Sequence, residues 1–236
     1  MTFSLTAGLT VPFLAFVLAS GFINGLHPAL TSTLPLILSS YLGNERHLHK
    51  ALHGMALFIV LLGGEWLLIG LGMSALAYFG SPETVWMTLA IALTLAGALE
   101  VKTAINSKGL AMQFSEKPWR RVRKHAYKLQ HTWHITGLNL HLLPLLIILT
   151  AWPFLGIAAL TPFNEPPLTL LVLASYTLAF ILPLTMLAFL PTNRVQLAAI
   201  RHWVSRYSPL LHLLQAIVLF ACGWLLLIKS NTPSGS

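Results

Sequence analysis

Three ionisable side chains fall deep inside long apolar runs of this 236-residue chain: His27, Glu65 and His141. At 1.5 Å per helical residue, Glu65 lies about 20 Å and His141 about 15 Å from the start of its run, and His27 lies at a similar middle depth. Ionisable groups at membrane depth are costly, so they are functional candidates by default. Two imidazoles and a carboxylate suit zinc, nickel, iron or copper, and the sequence therefore predicts a transition-metal site. The alternative for each side chain is a purely structural role.

Other histidines permit a different chemistry. His134 and His141 are seven residues apart and fall near one face of a predicted helix, and His53 or His212 could face them from another helix. Two imidazoles on different helices can hold a b-type haem between them as axial ligands. Haem binding through His53, His134, His141 and His212 is therefore an alternative to the metal site.

The composition indicates an integral membrane protein. Hydrophobic residues make up 56% of the chain and charged residues only 8%, which gives apolar stretches too long for a soluble domain. The net charge of +8 is spread over short segments between the apolar runs, which argues against nucleic-acid binding. The absence of Asp excludes a Ser-His-Asp triad, and the single Cys222 excludes an internal disulfide. Nothing in the sequence indicates an enzyme.

Six apolar segments are long enough to form membrane helices, and two of them contain internal prolines that predict a break. The first segment is expected to break at Pro28 and Pro35 and the fourth at Pro144 and Pro153. A kink is expected at Pro183 in the fifth, and Pro209 is expected at the start of the sixth. Glu100 and Lys102, at the end of the third, are expected to be interfacial anchors. The segments are residues 9–42, 52–79, 84–106, 131–161, 167–191 and 207–228.

Loop charges predict the orientation. All but one of the 14 Lys and Arg residues fall on one side of the predicted membrane, and Lys229 falls on the other. By the positive-inside rule that side is cytoplasmic, so both termini are expected outside a bacterial-type plasma membrane. The basic loop 107–130 then divides a single membrane domain, residues 1–236, into halves 1–106 and 131–229, followed by a tail, 230–236. Three helices in each half, each half beginning with a broken helix, predict an inverted repeat. An unrelated six-helix bundle is the alternative.

The apolar segments resemble the CcdA/DsbD transmembrane family, thiol-electron carriers of cytochrome c and disulfide biogenesis within the LysE-like transporter superfamily. Segment 13–38, with Pro28-Ala29 ahead of Leu34-Pro35, resembles the first helix of the family. The glycine-punctuated segment 56–72 resembles its second helix, and segment 174–184, with Tyr176 and Leu182-Pro183, resembles its fifth. The resemblance implies an all-helical fold of six membrane helices in two inverted halves.

The chain departs from the family at the positions of its two reactive cysteines. Where the family places a cysteine after a proline in the first and fourth helices, this chain has Ala29 and Phe154. Thiol exchange needs two sulfur atoms, which neither residue supplies. We therefore expect a membrane protein that handles a small cargo such as a transition-metal ion. A haem-binding or accessory subunit of a membrane redox or biogenesis complex, and an inactive structural relative of the thiol relay, are the alternatives.

Overall fold

Six helices make up the part of the chain that the computed structural model describes, which is residues 11–28, 30–31, 48–79, 82–106, 150–161, 165–189 and 194–231. No strand occurs among these residues. The loop 107–130, His134, His141, Pro35 and Pro144 lie outside them. The helices are α1 (Val11–Gly25), α2 (Leu48–Phe79), α3 (Pro82–Ile105), α4 (Thr150–Leu160), α5 (Pro166–Phe189) and α6 (Arg194–Asn231).

Four of these helices are long and apolar enough to cross a membrane. Their apolar stretches run over 21 to 26 residues, and about 20 residues cross the hydrocarbon core. The prediction of an all-helical protein with membrane-spanning helices is confirmed to this extent. Helices α1 and α4 are shorter, so the six spans and the inverted repeat stay predictions. The four stretches are Ile59–Phe79, Glu83–Ile105, Pro167–Leu187 and Arg206–Asn231.

The predicted break at Pro28 is present. Helix α1 ends at Gly25, His27 is non-helical, and helical backbone resumes at Pro28. The His27 carbonyl accepts the first bonds of the new helical turn, from the amides of Leu30 at 2.9 Å and Thr31 at 3.1 Å. His27 is thus the N-cap residue, and Pro28 follows at the first helical position, where a missing N–H costs nothing. The local sequence therefore turns the chain at His27 and restarts the helix one residue later.

The described part of helix α4 is enclosed by the other five helices. All its residues are buried or partly buried, and Phe154 packs between Trp66 of α2 and Tyr176 of α5. The predicted break at Pro153 is wrong for the described residues, because helical backbone runs without interruption over residues 150–160. Three donors from other helices bond the last carbonyls of α4: Ser74 to Ala158 at 2.8 Å, Trp86 to Ala159 at 3.1 Å and Lys229 to Leu160 at 3.0 Å.

Helix α6 begins earlier than the hydropathy pattern predicts. Its helical backbone starts at Arg194, so Pro209 lies inside the helix and the prediction that Pro209 begins it is wrong. The reason is that a hydropathy window detects only the most apolar part of a helix, whereas residues 194–206 mix apolar side chains with Arg194, Arg201 and Arg206. Helix α6 also ends at Asn231, within the predicted tail. Pro183 likewise lies inside a continuous helix, α5.

Two helix pairs dominate the packing. Helix α3 lies antiparallel along α6, since Trp86 stacks under Lys229 at one end and Glu100 contacts His212 near the other. Helix α1 lies along α5, which also packs on α2. The close approach of α1 to α5 depends on Gly21 and Gly25, which are four residues apart and therefore lie on one face of α1. Such small-residue pairs allow close backbone contact between membrane helices.

Gly21→Ala is expected to weaken the contact between α1 and α5. A Cβ on Gly21 would lie 2.5 Å from the Tyr176 carbonyl oxygen, a backbone atom that cannot rotate away. Overpacking of this kind costs about 1–3 kcal/mol, which thermal unfolding of the purified protein in detergent would detect. Gly64→Ala is the matched control, because a Cβ there meets no atom within 4 Å. Equal midpoints for the two variants would contradict the close approach.

Candidate metal centre

His27, Glu100 and His212 meet inside the helix bundle although they are far apart in the sequence. His27 Nε2 lies 3.5 Å from Glu100 Oε1, and His212 Nδ1 lies 2.5 Å from Glu100 Oε2. The two imidazole rings are perpendicular, with centroids 5.5 Å apart. One candidate ligand atom from each residue lies within 4.8 Å of the other two. The three side chains therefore form one compact cluster, which we call the His-Glu-His cluster.

Each member of the cluster is positioned by a different local feature. His27 lies at the break after α1, and the bonds that its carbonyl accepts from the resumed helical turn fix the position of its backbone. Glu100 lies on α3 seven residues after Leu93, a fully buried residue, and two helical turns separate residues on one face. His212 shares a face of α6 with Leu219 and Cys222, which are also buried. Because α3 and α6 pack along their length, Glu100 and His212 face each other.

The cluster is largely excluded from solvent. His27 and His212 are each 1% exposed, and the side chain of Glu100 is 12% exposed. An isolated carboxylate in apolar surroundings is strongly disfavoured, so the imidazole contacts are what make its burial tolerable. His212 Nδ1 and Glu100 Oε2 lie 2.5 Å apart, within hydrogen-bond distance. His212 Nε2, in contrast, is buried and has no hydrogen-bond partner within the described ranges.

The donor set fits a divalent transition-metal ion. Two imidazole nitrogens and a carboxylate are ligands that zinc, iron and nickel accept. Ligand atoms about 2.1 Å from a tetrahedral ion are about 3.4 Å apart. The widest separation in the cluster, up to 4.8 Å, would therefore shorten by up to about 1.4 Å, and His212 Nδ1 would move away from Glu100 Oε2 by about 1 Å. Rotation of three side chains can supply a movement of that size. A cluster that holds only a proton between Glu100 and His212 is the alternative that the geometry allows.

The cluster lies between the middle of the membrane helices and the end of the bundle that carries Lys102, Arg201 and Arg206, here called the basic end. Glu100 is six residues from the centre of the Glu83–Ile105 stretch, or about 9 Å along the helix. His212 is six residues, about 9 Å, inside the start of the Arg206–Asn231 stretch. The cluster is thus displaced from the midplane toward the basic end.

The structure brings together only part of what the sequence predicts. His27 lies in the cluster, whereas Glu65 on α2 does not belong to it, and Glu65 Oε2 is a buried atom with no hydrogen-bond partner among the described residues. His141 lies outside the described residues, so the site of His27, Glu65 and His141 stays a prediction. The haem site also stays a prediction, because His134, His141 and the side chain of His53 lie outside the described residues. The fourth candidate, His212, belongs to the cluster.

Glu100 is the functional candidate that the sequence analysis missed. It was expected to be an interfacial anchor beside Lys102, and instead it contacts two buried histidines. The signal that could have revealed it is the spacing of small residues on α3: Ala90, Gly97 and Ala104 mark the packed face, and Glu100 falls on that face.

No protein-family model, curated protein or solved structure matches this chain. The resemblance to the CcdA/DsbD family therefore stays a prediction, and the functional conclusions rest on the residues of the chain itself.

Glu100→Leu is expected to destabilise the protein by about 1–3 kcal/mol, because it leaves His212 Nδ1 buried without its acceptor. Adding His212→Leu should recover most of that loss, since replacing both partners with apolar side chains removes the unpaired group. Unfolding free energies from denaturant titration in detergent would measure the coupling of the two substitutions. The control is Glu83→Leu, at an exposed position of the same helix. Additive effects of the two substitutions would contradict a direct interaction.

Proposed function

We propose that this protein binds a divalent transition-metal ion within the membrane and carries it across, with His27, Glu100 and His212 as ligands. The observation that carries the proposal is the convergence of two imidazoles and a carboxylate, from three separate elements, at a buried position. Ionisable residues in membrane helices mark ion pathways more often than they serve packing. A membrane protein that only needed a tight bundle would bury apolar side chains at these positions.

The broken backbone at His27 supports transport rather than permanent storage of the ion. Irregular backbone at membrane depth is tolerated where it is buried in protein or lines a cavity, and transporters use such breaks to form cargo sites. Here one ligand, His27, is the capping residue of the break itself. A small rotation of the helical turn after Pro28 would therefore move that ligand relative to α3 and α6 and change the affinity of the site.

The proposal includes six spans arranged as two inverted halves. Its support is that α1 and α4, the first described helices of the two halves, meet inside the bundle. Asn24 of α1 donates a hydrogen bond to the Thr150 carbonyl of α4, over 2.8 Å. With the basic end cytoplasmic, as the positive-inside rule requires, the cluster lies nearer the cytoplasm and both termini face outward.

A scaffold resembling the CcdA/DsbD family would then be used without its thiol relay. In place of the second cysteine, Phe154 is fully buried between aromatic rings of α2 and α5. Cys222 is buried, with its sulfur 4.0 Å from the Pro153 carbonyl. The chemistry would thus shift from sulfur to imidazole and carboxylate ligands. A role beside membrane redox or biogenesis subunits remains the alternative prediction.

His27→Ala, Glu100→Gln and His212→Ala are each expected to lower the affinity for zinc by at least about tenfold. Loss of a group that merely orients a ligand already costs 10- to 100-fold in general, and loss of a ligand costs at least as much. Isothermal titration of the purified protein with zinc would measure the effect. His202→Ala is the matched control, because His202 is an exposed histidine of the same helix as His212.

Glu65→Gln and His141→Ala complete this set of variants. If these two lose zinc while Glu100→Gln and His212→Ala retain it, the site is the one that the sequence predicts and the His-Glu-His cluster is not the metal centre. If none of the variants changes the affinity, the chain has no specific zinc site at either position.

A further inference from the structure

A second group of buried polar side chains lies directly beyond the His-Glu-His cluster. Asn24 is three residues before His27, and Gln215 is three residues after His212, so each shares a helix face with a cluster histidine. Gln215 Nε2 donates to Asn24 Oδ1 over 2.9 Å, and Asn24 Nδ2 lies 2.8 Å from both the Thr150 carbonyl and the Tyr176 hydroxyl oxygen. These groups connect α1, α4, α5 and α6 through neutral hydrogen bonds.

The direction of these hydrogen bonds follows from the chemistry of the partners. The Thr150 carbonyl can only accept, so Asn24 must turn its amide nitrogen toward it. The Asn24 oxygen then faces Gln215, which must present its own nitrogen. Gln215 Oε1 is consequently left pointing elsewhere, buried and without a hydrogen-bond partner in the described part of the chain. The position of the Thr150 carbonyl thus determines that Gln215 Oε1, at the other end of the network, has no hydrogen-bond partner among the described residues.

Ser20 adds a second buried oxygen, on the same face of α1 as Asn24. It lies one turn before Asn24 on α1, is fully buried, and its hydroxyl has no hydrogen-bond partner among the described residues. A buried polar atom left unpaired costs about 1–3 kcal/mol. Two such oxygens beside one hydrogen-bond network would therefore be retained at a considerable cost in stability. Water or a passing cation in contact with them would offset that cost.

These polar groups lie at the middle of the membrane helices. Tyr176 is one residue from the centre of the Pro167–Leu187 stretch, and Gln215 lies about 5 Å farther from the basic end than His212. Among the described residues next to this level on the outer side, Phe154, Leu219 and Cys222 are apolar and buried. The group of buried polar side chains that begins at the cluster therefore extends to about the midplane.

We propose that Ser20, Asn24, Tyr176 and Gln215 form a transfer segment that receives the cation from the His-Glu-His cluster and carries it, partly hydrated, toward the middle of the membrane. This inference rests on the proposed function. Neutral hydroxyl and amide oxygens hold a transition-metal ion far more weakly than imidazole and carboxylate do. A path works only when successive sites bind well enough to admit an ion and weakly enough to release it.

The transfer segment predicts that binding and transport can be separated by substitution. Gln215→Leu removes the free oxygen at similar volume, and Tyr176→Phe removes one hydroxyl while keeping the ring that packs on Phe154. Neither residue belongs to the His-Glu-His cluster, so zinc affinity in detergent should stay within about threefold of the original protein. The initial rate of zinc entry into phosphatidylcholine vesicles containing the purified protein and a zinc-sensitive dye should fall at least about tenfold.

Thr177→Val is the matched control. Thr177 is a buried neighbour of Tyr176, and its hydroxyl bonds to the Leu173 carbonyl of its own helix, so its loss should change neither zinc affinity nor zinc entry. Two results would overturn the transfer segment alone. The first is zinc entry at the original rate in both variants. The second is a fall in zinc affinity as large as the fall in the rate of zinc entry, which would mean that the network only positions the ligands. If the unsubstituted protein does not bind zinc, the proposed function fails at binding. If it binds zinc and does not move it, the proposed function fails at transport. In either case the transfer segment is contradicted as well.

Discussion

A carboxylate lies between two imidazoles inside a bundle of apolar helices, and the arrangement of the surrounding helices depends on that contact. Glu100 cannot be buried there without polar partners. Helices α3 and α6 and the helix break after α1 must therefore keep the relative positions that bring His212 and His27 to Glu100. The register of α3 against α6 places Glu100 Oε2 2.5 Å from His212 Nδ1, and the close contact of Gly97 with Phe220 supports the same register.

The second constraint is that no backbone polar group can be left unpaired at membrane depth. The chain meets this requirement in two different ways. After α1, the His27 carbonyl caps a new helical turn, so the break costs few hydrogen bonds. At the end of α4, side chains from three neighbouring helices bond the carbonyls that the helix leaves free, and Lys229 also adds a favourable charge at the negative end of the helix dipole. Helix α4 can therefore end inside the bundle.

Much of the fold could be predicted from the sequence, because hydropathy and proline position act locally. The apolar helices and the break at Pro28 follow directly from the residues concerned. Pro209 was misplaced because the effect of a proline depends on where the helix begins, and a hydropathy window does not locate a helix start in a segment of mixed polarity. Pro153, like Pro183, lies within continuous helical backbone, so a proline in an apolar run does not by itself mark a break.

The candidate site was harder to predict, because it depends on the rotation of helices about their axes. His27 could be recognised from its place at the break, whereas Glu100 looked like an interfacial residue beside Lys102. Its contact with His212 spans 112 residues of sequence and exists only because the packed faces of α3 and α6 coincide. Glu65, which has a more central position in its segment, does not join the cluster. Depth in the membrane alone is therefore a poor guide to which ionisable residues meet.

X-ray absorption spectroscopy of the zinc-loaded, purified protein would test the central claim most directly, because it reports the atoms bound to the metal rather than a change in affinity. The His-Glu-His cluster predicts two imidazole nitrogens at about 2.0–2.1 Å and carboxylate oxygen at about 2.0–2.2 Å. The second imidazole should be lost in His212→Ala and the carboxylate in Glu100→Gln. A spectrum that both substitutions leave unchanged would show that the metal is bound elsewhere and would contradict the account.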